Sequence, residues 1–331
     1  MELPMHRVLI PAAALLLVGC QSLAAGGASG RPDAAARDEL ARLAAAVAGE
    51  YDNHEQVAHA GNGVTLMHVA HDLRVVEQQR DHVDWVWRLR SSGGSPLTSS
   101  WLMRAQASEN GRRIRITPYR PLDAAAAEAP FATDPKAKPF RFVAEQWAEL
   151  APCAQDGAWE AGKFSAAANV EACSVLLPGL GEAAALLPLR FSIDGDMLHV
   201  ATFADSPRGA DAAEDARRVR WFEGWAAING GGPQAKAGNQ DWHFDRDLRL
   251  SSEGGRAAIR WRDGAASGYT LELERTNYPE RKLVVLQLNV IEDASGKALT
   301  YVWTDPQAAA IGLNLGWLQA GFSLAAPLPA K

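Results

Sequence analysis

Gly49-Glu50-Tyr51-Asp52-Asn53-His54-Glu55-Gln56 is the stretch on which the fold turns. Before it the chain is rich in alanine. Leu40, Leu43 and Val47 fall at helical spacing there, with Arg37, Asp38, Glu39 and Arg42 facing the other way. That pattern predicts one amphipathic helix over residues 33–48, capped by Asp33 and ended by Gly49 as a left-handed terminator. After the octapeptide, short alternating runs separated by turns continue for most of the chain. It is therefore where a lead-in helix ends and an antiparallel sheet begins.

The clearest run outward from it is residues 83–90. Val83, Trp85, Trp87 and Leu89 share one face, and Asp84, Val86, Arg88 and Arg90 the other, as the two-residue period of a strand requires. Residues 64–76 alternate more loosely and read as a strand with a bulge. In residues 101–107, Trp101, Met103 and Ala105 oppose Leu102, Arg104 and Gln106. Asn110-Gly111 is a hairpin signal, and residues 112–117 answer it with Ile114 and Ile116 opposite Arg113 and Arg115.

Further along, residues 123–130 read as a short helix and 140–150 as another. Residues 153–173 read as a hairpin, and 188–203 as two strands turned at Asp194-Gly195. Residues 206–217 read as a polar loop and 219–228 as a strand. Strands then follow at 242–250, 256–262, 269–275, 283–291 and 299–303. The apolar segment 308–322 fits either a closing strand or a terminal helix. Short strands at near-regular spacing predict an all-β fold. A sheet of about ten or more antiparallel strands avoids exposed edges by curling into a barrel, here with an N-terminal helix and short peripheral helices. Such a barrel holds either a packed core or a ligand.

The 331 residues are 47% apolar with a formal charge of -6 of mixed sign, which supplies a core and no basic field for nucleic acid. His6 and Arg7 precede an apolar run over residues 8–18 that is too short to span a membrane and reads as a secretory signal, residues 1–19. Leu17-Val18-Gly19-Cys20 resembles the lipobox of bacterial lipoproteins, which implies acylation at Cys20. Gln21, by the same resemblance, implies the outer membrane with the body in the periplasm, and membrane lipid as a partner. Residues 20–32 are a linker of small residues. Cys153 and Cys173 are then an even pair in an oxidising compartment, which predicts a disulfide closing a loop of about 20 residues, worth roughly 3 kcal/mol. Two separate buried thiols are the alternative; no CxxC or HExxH motif accompanies them to suggest a metal.

The octapeptide after an alanine-leucine helix is similar to the opening of the CpcT/CpeT-like chromophore lyase family. Trp85-Val86-Trp87-Arg88, the segment from Ile114 to Tyr119, Leu150-Ala151-Pro152-Cys153 with Trp159, Phe164 and Cys173, and Trp221-Phe222-Glu223-Gly224-Trp225 follow that family's order. The resemblance covers roughly residues 38–235. It implies a calyx-like barrel over 33–235 that holds a bilin or another amphipathic small molecule, with residues 236–331 as a β-meander extension packed on or completing it. It also implies bilin attachment to a protein cysteine, although the family's Glu-Gln and Tyr-Arg-Gln-Arg stretch is not retained. No cofactor is required by any motif.

The candidate ligand-binding residues are Trp85, Trp87, Arg88, Trp101, Arg104, Arg115, Tyr119 and Tyr51. With the arginine face inward, guanidiniums would pair with propionates beside aromatic walls. With the faces reversed, the tryptophans are core and the arginines meet water. His68, His71 and Asp72 would form a metal site only on a helix or a bulge, since strand positions three apart point to opposite faces. The function classes left open are a binder of amphipathic ligands, a bilin lyase and a structural envelope lipoprotein.

Overall fold

The computed structural model describes residues 34–60, 66–92, 97–108, 113–132, 140–202, 214–235 and 241–326. The signal peptide, the linker and Cys20 lie outside the described residues. In chain order the elements are α1 (Ala34–Val47), β1 (Gly49–Asp52), α2 (His54–Ala58), β2 (His68–Gln78), β3 (His82–Ser92), β4 (Thr98–Ala107), β5 (Ile114–Pro121), α3 (Ala124–Glu128), β6 (Trp147–Glu149), β7 (Gln155–Glu160), β8 (Lys163–Ala168), α4 (Val170–Ser174), β9 (Pro188–Asp194), β10 (Met197–Thr202) and β11 (Glu214–Arg218). They continue with β12 (Trp221–Asn229), β13 (Trp242–Ser251), β14 (Glu253–Arg260), β15 (Ala266–Tyr278), β16 (Leu283–Glu292), β17 (Lys297–Thr304), β18 (Ala310–Asn314) and β19 (Leu318–Leu324).

The first sheet runs β4-β3-β2-β1-β11-β10-β9-β8-β7-β5 and closes through a β4–β5 pairing, with β6 as a short flap on β5. All its ladders are antiparallel, and closure leaves no edge along the barrel wall. The inner face is the tryptophan face. Trp85, Trp87, Trp101, Met103, Ile114, Ile116, Phe164 and Phe191 form one core with Leu40, Leu43, Ala44 and Val47 of α1. The rings of Trp87 and Phe191 meet edge-on with centroids 5.3 Å apart, and Phe164 lies 5.7 Å from Phe191.

α1 is held at its C-terminal end, where helix carbonyls lack partners of their own. Tyr51 Oη donates to the Ala46 carbonyl at 2.9 Å, Arg218 Nη2 donates to the same oxygen at 2.7 Å, and Arg218 Nη1 donates to the Ala48 carbonyl. Gly49, at φ +147°, leaves room for that guanidinium: a Cβ there would overlap it. The expected bulge in β2 lies between Val75 and Glu77.

Three local expectations change. Residues 140–150 form a 3-10 turn over Ala144–Gln146 and then β6, not a helix. Residues 214–217, expected within a loop, belong with Arg218 to the strand that joins β1 to β10. Residues 308–322 are a β18–β19 hairpin. β12 also leaves the barrel: its partners are β13 and β19. The sheet therefore changes between Arg218 and Trp221, inside the stretch expected to be one barrel. Two four-stranded sheets follow, β13-β12-β19-β18 and β14-β15-β16-β17. They share a core of Phe222, Ile228, Leu250, Leu271, Leu288 and Phe322, the packing of a β-sandwich.

Candidate functional site

The residues expected to bind a ligand separate by face. Trp85, Trp87 and Tyr51 are 0% exposed, so not even a water-sized sphere touches them. They pack against protein and do not line an open cavity. Burial also pushes the Tyr51 phenol up to about 12, against the opposing pull of the Arg218 guanidinium. The arginines occupy the outer face, as the reversed arrangement requires. Arg104 makes a two-pronged bond to Asp84, at 2.6 and 2.8 Å, which raises its already high pKa. Arg88 bonds Asp72 at 3.1 Å and Glu128 at 3.2 Å, and lies 3.8 Å over the Phe131 ring. Arg115 is exposed and faces Asp156 at 3.5 Å. Tyr119 meets Phe142 edge-on at 5.6 Å, and burial raises its pKa.

This outer face is covered by α3 and the segment around Trp147, which form a second small core with Val86 and Leu102. Asp123 caps α3 by accepting from the Ala126 N–H at 2.7 Å. The half-buried arginines are therefore held against acids and rings beneath a cover. His68, His71 and Asp72 do not converge. His68 goes to Asp52 and Ser92, Asp72 to Arg74 and Arg88, and His71 turns into the barrel, where Trp87 Nε1 donates to its Nδ1 at 3.2 Å and Glu214 lies 3.2 Å from its Nε2. Glu77, His82 and Asp84 are near enough to share a cation, but Arg104 already occupies Asp84 and Asp81 bonds His82. Cys153 and Cys173 form the disulfide, with Cα atoms 4.4 Å apart.

Trp101, 2% exposed, also borders a pocket. This pocket, about 320 Å³, sits at the barrel rim between the start of β4, the end of β5, α3 and Leu180. Thr98, Ser99 and Ser100 bring hydroxyls, and Pro121, Ala124, Ala127 and Leu180 bring apolar wall. Trp101 Nε1 is satisfied by Ser99 Oγ at 3.0 Å, while Ser100 Oγ is buried without a partner among the described residues. Arg120 lines the same pocket, and no carboxylate among the described residues pairs with it. Glu128 is shared with Arg88, so the rim pocket adjoins the covered arginine layer. Arg120 was not singled out from the sequence; it stands beside Tyr119 on the opposite strand face, in a Pro-Tyr-Arg-Pro run that carries no alternation signal.

A larger groove, about 630 Å³, lies on the outer face of the β13-β12-β19-β18 sheet and includes Trp225 and Phe244. No family model matches the sequence, and no curated protein matches it.

Proposed function

We propose that this chain is a non-catalytic binding protein that takes the acidic end of an amphipathic small molecule at the rim of its barrel. The observation that carries the reading is Arg120: a guanidinium with no counter-ion among the described residues, set beside Trp101, a buried serine hydroxyl with no partner among those residues, and an apolar wall. A few polar groups converging in a mostly apolar concavity are the usual make-up of a small-molecule site. At about 320 Å³ the pocket is at the small end of that class, so it receives one end of a longer ligand. An open-chain tetrapyrrole, entering by a propionate, is such a ligand, and the resemblance to chromophore lyases supports testing it first. Bilin transfer to a cysteine is the enzymatic form of the same reading and adds an acceptor protein as partner.

The proposal also tethers the chain by an acylated Cys20 to the outer membrane, facing the periplasm. Two things support this: the Leu17-Val18-Gly19-Cys20 run, and the Cys153–Cys173 bridge, a bond kept in oxidising compartments. Metabolic labelling with a palmitate analogue, lost in Cys20→Ser, tests the anchor.

Titration of the purified protein with biliverdin, haemin and oleate, followed by tryptophan fluorescence, tests the pocket. Saturable binding is expected for at least one. Arg120→Ala should weaken it about tenfold or more, the worth of one charge-assisted hydrogen bond. If none of the three binds, the closed barrel is an envelope scaffold and the ligand reading fails.

A further inference from the structure

We propose a second binding site, on the C-terminal sandwich, for the pyranose rings of an oligosaccharide. The site is the groove of about 630 Å³ on the outer face of β12 and β13. Its floor is aromatic. Trp225 is 39% exposed and Phe244 51%, and their rings stand 6.2 Å apart with a 42° tilt. Trp225 lies on a patch without side chains. It faces Gly321 in register, and a Cβ at Gly321 would come 3.4 Å from the indole Cε2 and Nε1. Gly312 is the next residue across, paired with Gly321. One indole face is thus propped by backbone and the other is left to solvent.

The groove's walls are charged, with both signs present. Glu223 and Arg249 are cross-strand partners on one face. Arg246 and Asp247 come from a bulge, where the register slips between Gly224 and Ala226. Asp247 holds a left-handed φ of +60°, a conformation that bulges beside functional sites use to re-aim side chains. Arg246 stands 5.7 Å from the Phe244 ring and Arg249 lies 4.1 Å over Trp221. Among the described residues, no ion pair or hydrogen bond engages the side chains of Glu223, Arg246 or Asp247, while the Arg249 guanidinium, also without a direct bond, exerts a longer-range pull on the Glu50 carboxyl. The groove offers two carboxylate acceptors and two guanidinium donors, summing to no net charge.

That set of groups selects among ligands by elimination. A nucleic acid or polyanion needs a net positive surface, and here two carboxylates oppose it. A lipid chain needs enclosed apolar walls, and four charged groups would lose water for nothing. An acidic amphiphile would meet Glu223 and Asp247 as like charges. A pyranose ring meets every requirement. Its C–H face lies flat on an indole or phenyl ring, and its hydroxyls donate to carboxylates and accept from guanidiniums at once. Two rings side by side in a groove open to solvent suit the interior of a chain rather than a single buried terminal sugar.

The test uses the whole purified protein and three named probes, chitotetraose, cellotetraose and maltotetraose, followed by tryptophan fluorescence and isothermal calorimetry. At least one should bind saturably, and Trp225→Ala should weaken it tenfold or more. Glu223→Gln and Arg246→Ala, both exposed and without ion pairs or hydrogen bonds among the described residues, should each weaken it severalfold, which keeps the test decisive if Trp225→Ala fails to fold. Trp303→Ala removes another exposed indole, 58% accessible but on the other sheet, and should change nothing. Arg120→Ala should also leave sugar binding intact, so this site and the barrel rim stand or fall separately. The proposal is overturned if none of the three probes binds at millimolar concentration, or if binding survives the groove variants unchanged.

Discussion

Glu253 opens β14 with 4% of its surface exposed, where the sandwich meets the barrel. Arg217 of β11 is its cation, 3.6 Å away, but that guanidinium is already in close contact with Glu55. Burial dominates and lifts the Glu253 carboxyl from its ordinary 4.5 to about 8, with Arg217 and the Ser252 hydroxyl pulling the other way. The folded protein thus keeps a proton that the unfolded chain loses near 4.5. The stability this confers is complete below the unfolded pKa and drains away as pH rises to about 8. At 1.36 kcal/mol per unit, the drain is on the order of 5 kcal/mol at most, with a steepest slope of about 1.4 kcal/mol per pH unit. Glu253→Gln keeps the shape and removes the titration. Urea unfolding of both proteins from about pH 5 to about pH 9 should give wild-type stability that falls relative to the variant, with the variant the more stable at the alkaline end. His54, raised chiefly by its hydrogen bond to Glu274, also loses its stabilisation as pH rises through its folded pKa. Both proteins share the main part of that loss, which comes from Glu274, and differ only by the weaker pull of the Glu253 charge on His54. Parallel curves would refute the account of Glu253 as a neutral buried acid.

Arg104→Ala should destabilise by about 3–5 kcal/mol, because it strands Asp84, which is 0% exposed. The Asp84→Ala, Arg104→Ala double variant should lose much less than the sum of the two singles in a double-mutant cycle. Tyr51→Phe removes one hydrogen bond to the end of α1 and should cost about 1 kcal/mol by urea unfolding. In the wild type, the Tyr51 phenol should stay protonated until about pH 12 in an ultraviolet titration, unless the protein unfolds first. Reduction of Cys153–Cys173 should lower stability by roughly 2–4 kcal/mol, seen as a lower midpoint with reductant present.

What the sequence made legible was local. The alternation in β3, β4 and β5 placed each side chain on its correct pair of faces, and Asp194-Gly195 marked the β9–β10 hairpin. The choice between an inward arginine and an inward tryptophan face was not local. It was decided by Phe191 and Phe164 on distant strands and by α1, which fill the interior. β11 hid because its inward positions are Glu214 and Ala216, and a buried carboxylate is tolerable only with His71 opposite it. The passage from barrel to sandwich hid for a related reason: strands of both alternate alike, and only long-range pairing tells them apart. The rim pocket was half visible through Trp101. The sandwich groove was missed because Trp225 was weighed only as part of a family-like run. Its local signal was an exposed indole facing glycines at 312 and 321, which shows only once register is known.

β1 lies between β2 and β11, so the wall's last gap is filled by the segment ending at Arg218. That same arginine grips the end of α1, some 170 residues earlier in the chain. A polypeptide delivered N-terminus first therefore keeps β1 half-paired, and the helix unfastened, until more than half its length has emerged. Contacts of such long range form slowly, and bare strand margins invite intermolecular pairing while they wait. Assembly of this protein should be sensitive to delivery rate and to any helper that shields the unfinished margin, more than to the strength of any single hairpin.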